Sequence, residues 1–148
     1  MTERIFKYKI IYFIAILFSF FGIGLFGYTT ITKILRFNQY GFMNDDVIYF
    51  PLNIIAVISF IASLLLLIRR SLFSIKILNV GIATFCCLII LGIIKLFMKN
   101  EAIFRFLFLN VFFLILNIIL MVVFNKYKIS PKCKLVTQEI ESIGKIDD

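Results

Sequence analysis

Four stretches of this chain carry no Asp, Glu, Lys or Arg: Ile10–Thr32, Val47–Ile68, Ile77–Ile94 and Phe106–Asn125. They run from 18 to 23 residues, and a helix needs ~17–25 apolar residues to cross a bilayer. Within hydrocarbon every backbone N–H and C=O must find its partner inside the protein, so only helices and closed barrels span. A barrel strand alternates apolar and polar side chains. These runs are apolar throughout, so they predict four transmembrane helices at about 10–32, 47–68, 77–94 and 106–125. The fold class expected is all-α: an integral membrane four-helix bundle, up-down-up-down, over residues 1–128, with a cytoplasmic basic and amphipathic tail over 129–148.

Composition agrees. Hydrophobic residues make up 62% of the chain, against ~45–50% apolar in soluble domains. The net charge of +8 would suggest nucleic acid in a soluble protein. Here the basic residues flank the apolar runs, so no nucleic-acid partner is expected and the charge is read as a topology signal. Eleven basic residues lie in the N-terminal segment, the second connection and the tail, against five in the first and third connections. The positive-inside rule then puts both termini in the cytoplasm, which is the inner membrane if the source is bacterial. Tyrosine supplies the interfacial belt in a chain without Trp: Tyr8, Tyr12, Tyr28, Tyr40, Tyr49 and Tyr127 all fall near predicted helix ends. The first run exceeds the ~7–15 residues of a signal-peptide core and is expected to be a retained helix.

The lysines after the fourth run, Lys126, Lys128, Lys132 and Lys134, are placed to meet anionic lipid headgroups at about 1 kcal/mol each. In the first connection, Asn44, Asp45 and Asp46 read as the start of the second helix, where carboxylates complement the helix dipole. Pro51 near that start costs little.

Several chemistries lose their residues. There is no histidine, so the commonest general base and metal ligand are missing. The adjacent Cys86 and Cys87 have no carboxylate or imidazole in any apolar run to complete a tetrahedral site. Cys133 lies in the tail. A thiol in an apolar setting is inert and behaves as a small hydrophobe, so Cys86 and Cys87 are read as packing, with Cys87 beside the bundle face and Cys86 turned further away. The run Gly22–Gly27 matches G-x-G-x-x-G, but a dinucleotide fingerprint needs a strand before it and a helix starting at it. Inside an apolar helix it reads as a close helix contact instead. No cofactor or metal is expected.

The polar residues within the runs are ordered. Asn53, Ala56, Ser59 and Ser63 share a face of the second helix, Gly81, Thr84 and Gly92 a face of the third, and Asn110 and Asn117 a face of the fourth. Small and polar stripes mark helix–helix contacts in membranes. Asn53, Asn110, Asn117, Ser63, Thr84 and Thr29 are therefore the candidate polar bundle face, or an outer pocket with Asp45 and Asp46 at its mouth. With no carboxylate or base in any run, ion-coupled transport lacks its usual groups. The expected function is non-catalytic binding of another membrane component, as an accessory subunit or an immunity-type protein, with a membrane-protein partner or a homo-oligomer. An oligomeric pore or small-solute carrier lined by Asn53, Asn110 and Asn117 comes second, and a membrane enzyme third.

Overall fold

A computed structural model describes residues 5–41, 46–98 and 104–129, with backbone only at Tyr40, Phe104 and Arg105. It contains four helices: α1 (Lys9–Tyr40), α2 (Asp46–Ile68), α3 (Phe73–Met98) and α4 (Phe104–Lys126). All four are long and apolar enough to cross a membrane, and the chain is an integral membrane protein of the all-α class. Among the described residues no strand forms beyond one isolated antiparallel bridge, Phe6 to Lys128.

The helices reach past the apolar runs, and α1 does so by eight residues. Lys33–Tyr40 holds no Gly or Pro, so nothing stops the helix where the hydrocarbon ends. Gly41 stops it, at φ 77°, with its N–H on the Phe37 carbonyl at 3.0 Å. With ψ at −176° this positive-φ, extended conformation is open to glycine and to almost no other residue. The 14-residue first connection expected from charge alone is therefore mostly helix.

The stop at the end of α2 is unusual. The Ser71 N–H bonds the Leu66 carbonyl and the Arg70 N–H bonds the Leu67 carbonyl, both at 2.9 Å. This 6→1 and 5→2 pair normally surrounds a glycine. Here Arg70 takes the left-handed position, at φ 55°. Ser71 then opens α3, its Oγ accepting the Phe73 N–H at 3.3 Å and its carbonyl the Ser74 N–H at 3.1 Å. Four residues thus join α2 to α3.

Packing centres on one ring. Phe60 of α2 is fully buried. It lies between Gly22 of α1 and Gly81 of α3, so close that a Cβ on Gly22 would stand 2.6–2.8 Å from three of its ring carbons and one on Gly81 3.3 Å from two. Phe26 stacks on Phe60 at 5.9 Å and meets Phe85 edge-on at 4.9 Å, while Phe18 meets Phe60 edge-on at 5.7 Å. On α1 the buried positions Ile11, Ala15, Ser19, Gly22 and Phe26 recur every three or four residues. On α2 the stripe Asn53, Ala56, Ser59 and Ser63 is wholly buried. Small residues admit a neighbouring backbone, and close packing rather than a hydrophobic difference holds helices together in lipid. Gly24, Gly27 and Gly92 behave differently, with no atom within 4 Å of a Cβ built on them. The contact expected of the whole glycine run belongs to Gly22 alone.

Residues 5–7, before α1, pair with residues 127–129, after α4. The Lys7 N–H bonds the Tyr127 carbonyl at 3.0 Å and the Ile129 N–H bonds the Ile5 carbonyl at 2.9 Å. Tyr8 and Tyr127 touch edge-on at 5.4 Å, and Phe124 sits 6.0 Å from Phe6 and 6.4 Å from Phe18. Elsewhere α4 is thinly covered. Only 6% of its span is buried, against 39% for α2, and no residue from Phe106 to Leu116 is buried.

Candidate functional site

Polar side chains occupy three levels. At the end of the bundle where residues 5–7 and 127–129 pair, Asn79 of α3 and Asn125 of α4 exchange amide hydrogen bonds in both directions, at 3.0 and 3.2 Å. Nearby on α1, the Tyr12 hydroxyl donates to the Leu67 carbonyl at 3.0 Å. Both Asn79 and Asn125 lie at the ends of apolar runs, where sequence reading takes an asparagine for a boundary residue and not for half of a pair.

At mid-depth the hydroxyls turn to backbone. Ser19 donates to the Ala15 carbonyl at 2.9 Å and Thr84 to that of Val80 at 2.9 Å. Nearer the α2–α3 turn, Ser63 makes a long 3.4 Å bond to the Ser74 carbonyl in the first turn of α3. Asn117 is 1% exposed. Its amide nitrogen donates to the Phe113 carbonyl at 2.7 Å, while its Oδ1 is buried without a hydrogen-bond partner. Such an orphan costs about 1–3 kcal/mol. Asn110, seven residues earlier on the same face, is half-exposed and donates to the Phe106 carbonyl at 2.8 Å.

At the α1–α2 end, Thr29 donates to the Phe26 carbonyl at 3.0 Å and lies 3.5 Å from Oδ1 of the buried Asn53. Beyond it stands a charged clasp. Nη2 of Arg36 donates to both carboxylate oxygens of Asp46, at 2.6 and 2.7 Å, and Lys33 Nζ lies 3.8 Å from Oδ1. Lys33 and Lys95 both approach the Tyr49 ring, 5.1 and 5.8 Å from its centroid, within cation–π range. A cavity of about 120 Å³ opens beside them, lined by Lys33, Ile34, Phe37, Asp46 and Phe50.

The candidate residues of the sequence are thus distributed, not gathered. Thr29 and Asn53 meet, and Ser63 reaches α3. Thr84, Asn110 and Asn117 each bond their own helix. The cavity at the α1–α2 end is lined by none of them. Asp46 lines that cavity with its carboxylate held by Arg36. The signal for this clasp was available: Lys33 and Arg36 sit three apart, hence on one face if helix continues past the apolar run. Lys126 and Lys128 are exposed at the other end. Asp45, Lys132, Lys134 and Cys133 lie outside the described residues.

Cys86 and Cys87 are free thiols. Cys86 packs on the core and Cys87 is exposed, the reverse of their expected placement, because α3 centres its buried face on Leu78, Ile82, Phe85 and Ile89. Among the described residues no three Cys, Asp or Glu side chains gather as metal ligands. No family model matches the chain, no curated protein matches it, and no solved structure matches it.

Proposed function

We propose that this protein is a non-catalytic, multi-pass membrane protein that acts by binding another membrane protein through α4. The carrying observation is the state of that helix. It is apolar enough to span, yet the bundle buries 6% of its span and nothing from Phe106 to Leu116. Two further features support the reading. Asn110 sits half-exposed on the α4 face that carries Asn117 inward, and a polar amide in lipid seeks a partner on another helix. Asn117 keeps a buried, unmet acceptor, a cost to the fold that points to a role beyond folding.

We place both termini in the cytoplasm, in an up-down-up-down topology, with a bacterial inner membrane as the setting if the source is prokaryotic. The charge asymmetry favours this side, and the hydrogen bonds between residues 5–7 and 127–129 bring both ends of the bundle to one side. Lys126 and Lys128 then face cytoplasmic headgroups.

Site-specific photo-crosslinkers at Phe112 and Ile115 of α4, and at Phe13 and Phe20 of α1, test the reading in native membranes. All four positions are exposed. The α4 sites should yield one discrete protein adduct and the α1 sites only lipid. Lipid adducts from every site would refute partner binding. Solute flux through vesicles holding the purified protein, abolished by Asn110→Leu and Asn117→Leu, would replace the reading with a pore.

A further inference from the structure

One face of α4 is closed at one end and open at the other. Phe124, Asn117, Phe113, Asn110 and Phe106 follow one another at spacings of seven, four, three and four residues, hence on that face. Phe124 and Asn117 are buried, Phe113 and Asn110 are half-exposed, and Phe106 is exposed. Asn110 donates one N–H to the Phe106 carbonyl of its own helix. Among the described residues its second N–H and its Oδ1 have no partner.

Depth decides what meets that amide. At 1.5 Å per residue Asn110 lies about 24 Å along α4 from Lys126, still within a hydrocarbon core of ~30 Å. Acyl chains bring neither donor nor acceptor to that depth, where hydrogen-bonding groups come from the side chains of other helices. A carboxamide meets both needs at once, because it carries donor and acceptor side by side. The bundle already joins two helices in this way, through Asn79 and Asn125. A second copy of the chain does not supply that group. Among the described residues, Asn79 and Asn125 are spent on each other, and Asn53 and Asn117 are buried. For Asn110 to meet its own copy, two of these faces would have to lie together, and each is closed at its Phe124 end. We propose that a transmembrane helix of another protein docks on the open half of this face. An Asn or Gln of that helix exchanges hydrogen bonds with Asn110, and its apolar residues pack on Phe106 and Phe113. The proposal rests on α4 being the partner-binding helix and adds the contact that sets the register of binding. Phe112 and Ile115 lie on the other side of α4 from Asn110, so this face is tested by positions of its own.

The test places a photo-reactive phenylalanine analogue at Phe106 of the full chain in native membranes. It should give a protein adduct, and the labelled peptide should hold an Asn or Gln within one turn of the labelled residue. The captured protein is then purified and titrated against the chain in mixed micelles. Asn110→Leu should bind it about 3–30-fold more weakly, while Asn110→Gln, which keeps the amide, should retain most of the affinity. Asn110 bonds only its own helix, so Asn110→Leu should unfold as the unaltered chain does, and weaker binding then reports the lost contact. Replacing the Asn or Gln of the captured helix by Leu should weaken binding no further in the Asn110→Leu background. If Phe112 and Ile115 keep their adducts while Asn110→Leu binds as the unaltered chain does, the amide contact is overturned and partner binding through α4 stands. Lipid adducts from every α4 position overturn both. An adduct of twice the chain's mass overturns another protein as the source of the helix.

Discussion

Gly22→Ala adds one methyl group, and the structure gives that methyl nowhere to go. Its carbon would stand 2.6, 2.7 and 2.8 Å from Cδ2, Cγ and Cδ1 of Phe60, where carbon–carbon contact is comfortable at ~3.5–4.0 Å. Cγ lies on the χ2 axis, so turning the ring leaves its 2.7 Å contact in place. The ring is held from the other sides by Phe18, Phe26 and the face of α3 at Gly81. Relief therefore requires α1 to draw off α2 by roughly 1 Å, a kind of overpacking that costs about 1–3 kcal/mol. Alanine returns about 0.5–1 kcal/mol through its better helix propensity. The net expected is a loss of about 0.5–2 kcal/mol for Gly22→Ala. Gly24→Ala and Gly27→Ala meet open space and should gain about 0.5–1 kcal/mol. Three substitutions of one chemistry within six residues thus differ in sign. The assay is reversible unfolding in mixed micelles, followed by helical circular dichroism. In a Phe60→Ala background the penalty at Gly22 should vanish, giving a coupling energy of at least about 1 kcal/mol. If Gly22→Ala matches Gly24→Ala within error, Phe60 does not seat against α1 as described.

Three more outcomes are expected from the same unfolding assay. Asn125→Leu strands the Asn79 amide and should cost about 0.6–2 kcal/mol, with Asn79→Leu/Asn125→Leu recovering most of it; additive losses would deny the pair. Asp46→Asn leaves Arg36 with a neutral acceptor and should cost about 1 kcal/mol, the lower figure because Arg36 is partly exposed. The Arg36→Asp/Asp46→Arg exchange should restore stability, and failure to do so would assign the loss to the start of α2 instead. Arg70→Gly removes the cost of a left-handed non-glycine residue and should stabilise the α2–α3 turn by about 1 kcal/mol, while a destabilised variant would show that the Arg70 side chain matters more than its backbone.

The runs without charge located all four spans, because the cost of burying a charge in hydrocarbon is large and local. They misplaced helix ends for the same reason. Charge marks where lipid stops, whereas a helix stops at its cap, and α1 continued from Lys33 to Tyr40 until Gly41 ended it. The polar stripe Asn53–Ser63 was legible because helical periodicity alone decides which side chains share a face. The partners across that face were not legible. Nothing in the order of residues says that Phe60 seats against both Gly22 and Gly81, or that Asn79 finds Asn125. Those pairings depend on helix rotation and depth, which are tertiary quantities. The clasp of Arg36 on Asp46 stayed hidden behind the same boundary error: with Lys33 and Arg36 read as loop, they had no common face to present.

Packing and polarity run in opposite directions along this bundle, and the binding proposed for α4 follows from that gradient. Toward one end of the bundle, the aromatic contacts of Phe6, Phe18 and Phe124, the Asn79–Asn125 pair and the hydrogen bonds between residues 5–7 and 127–129 tie α4 to the other helices. Toward the α1–α2 end, α4 loses burial, its Asn110 is half-exposed, and α1 projects beyond the hydrocarbon to carry Lys33 and Arg36. A helix tied at one end and bare at the other has its free energy of association concentrated at the tied end. The partner proposed for α4 would dock on the bare half without breaking contacts already made, so its binding would carry little reorganisation cost. The hydrogen bond left unmade by Asn117 falls at the junction of the two halves. On the proposed reading, a partner that reorients α4 would change the surroundings of that buried acceptor, which would couple partner binding to the packing of the bundle at Asn117.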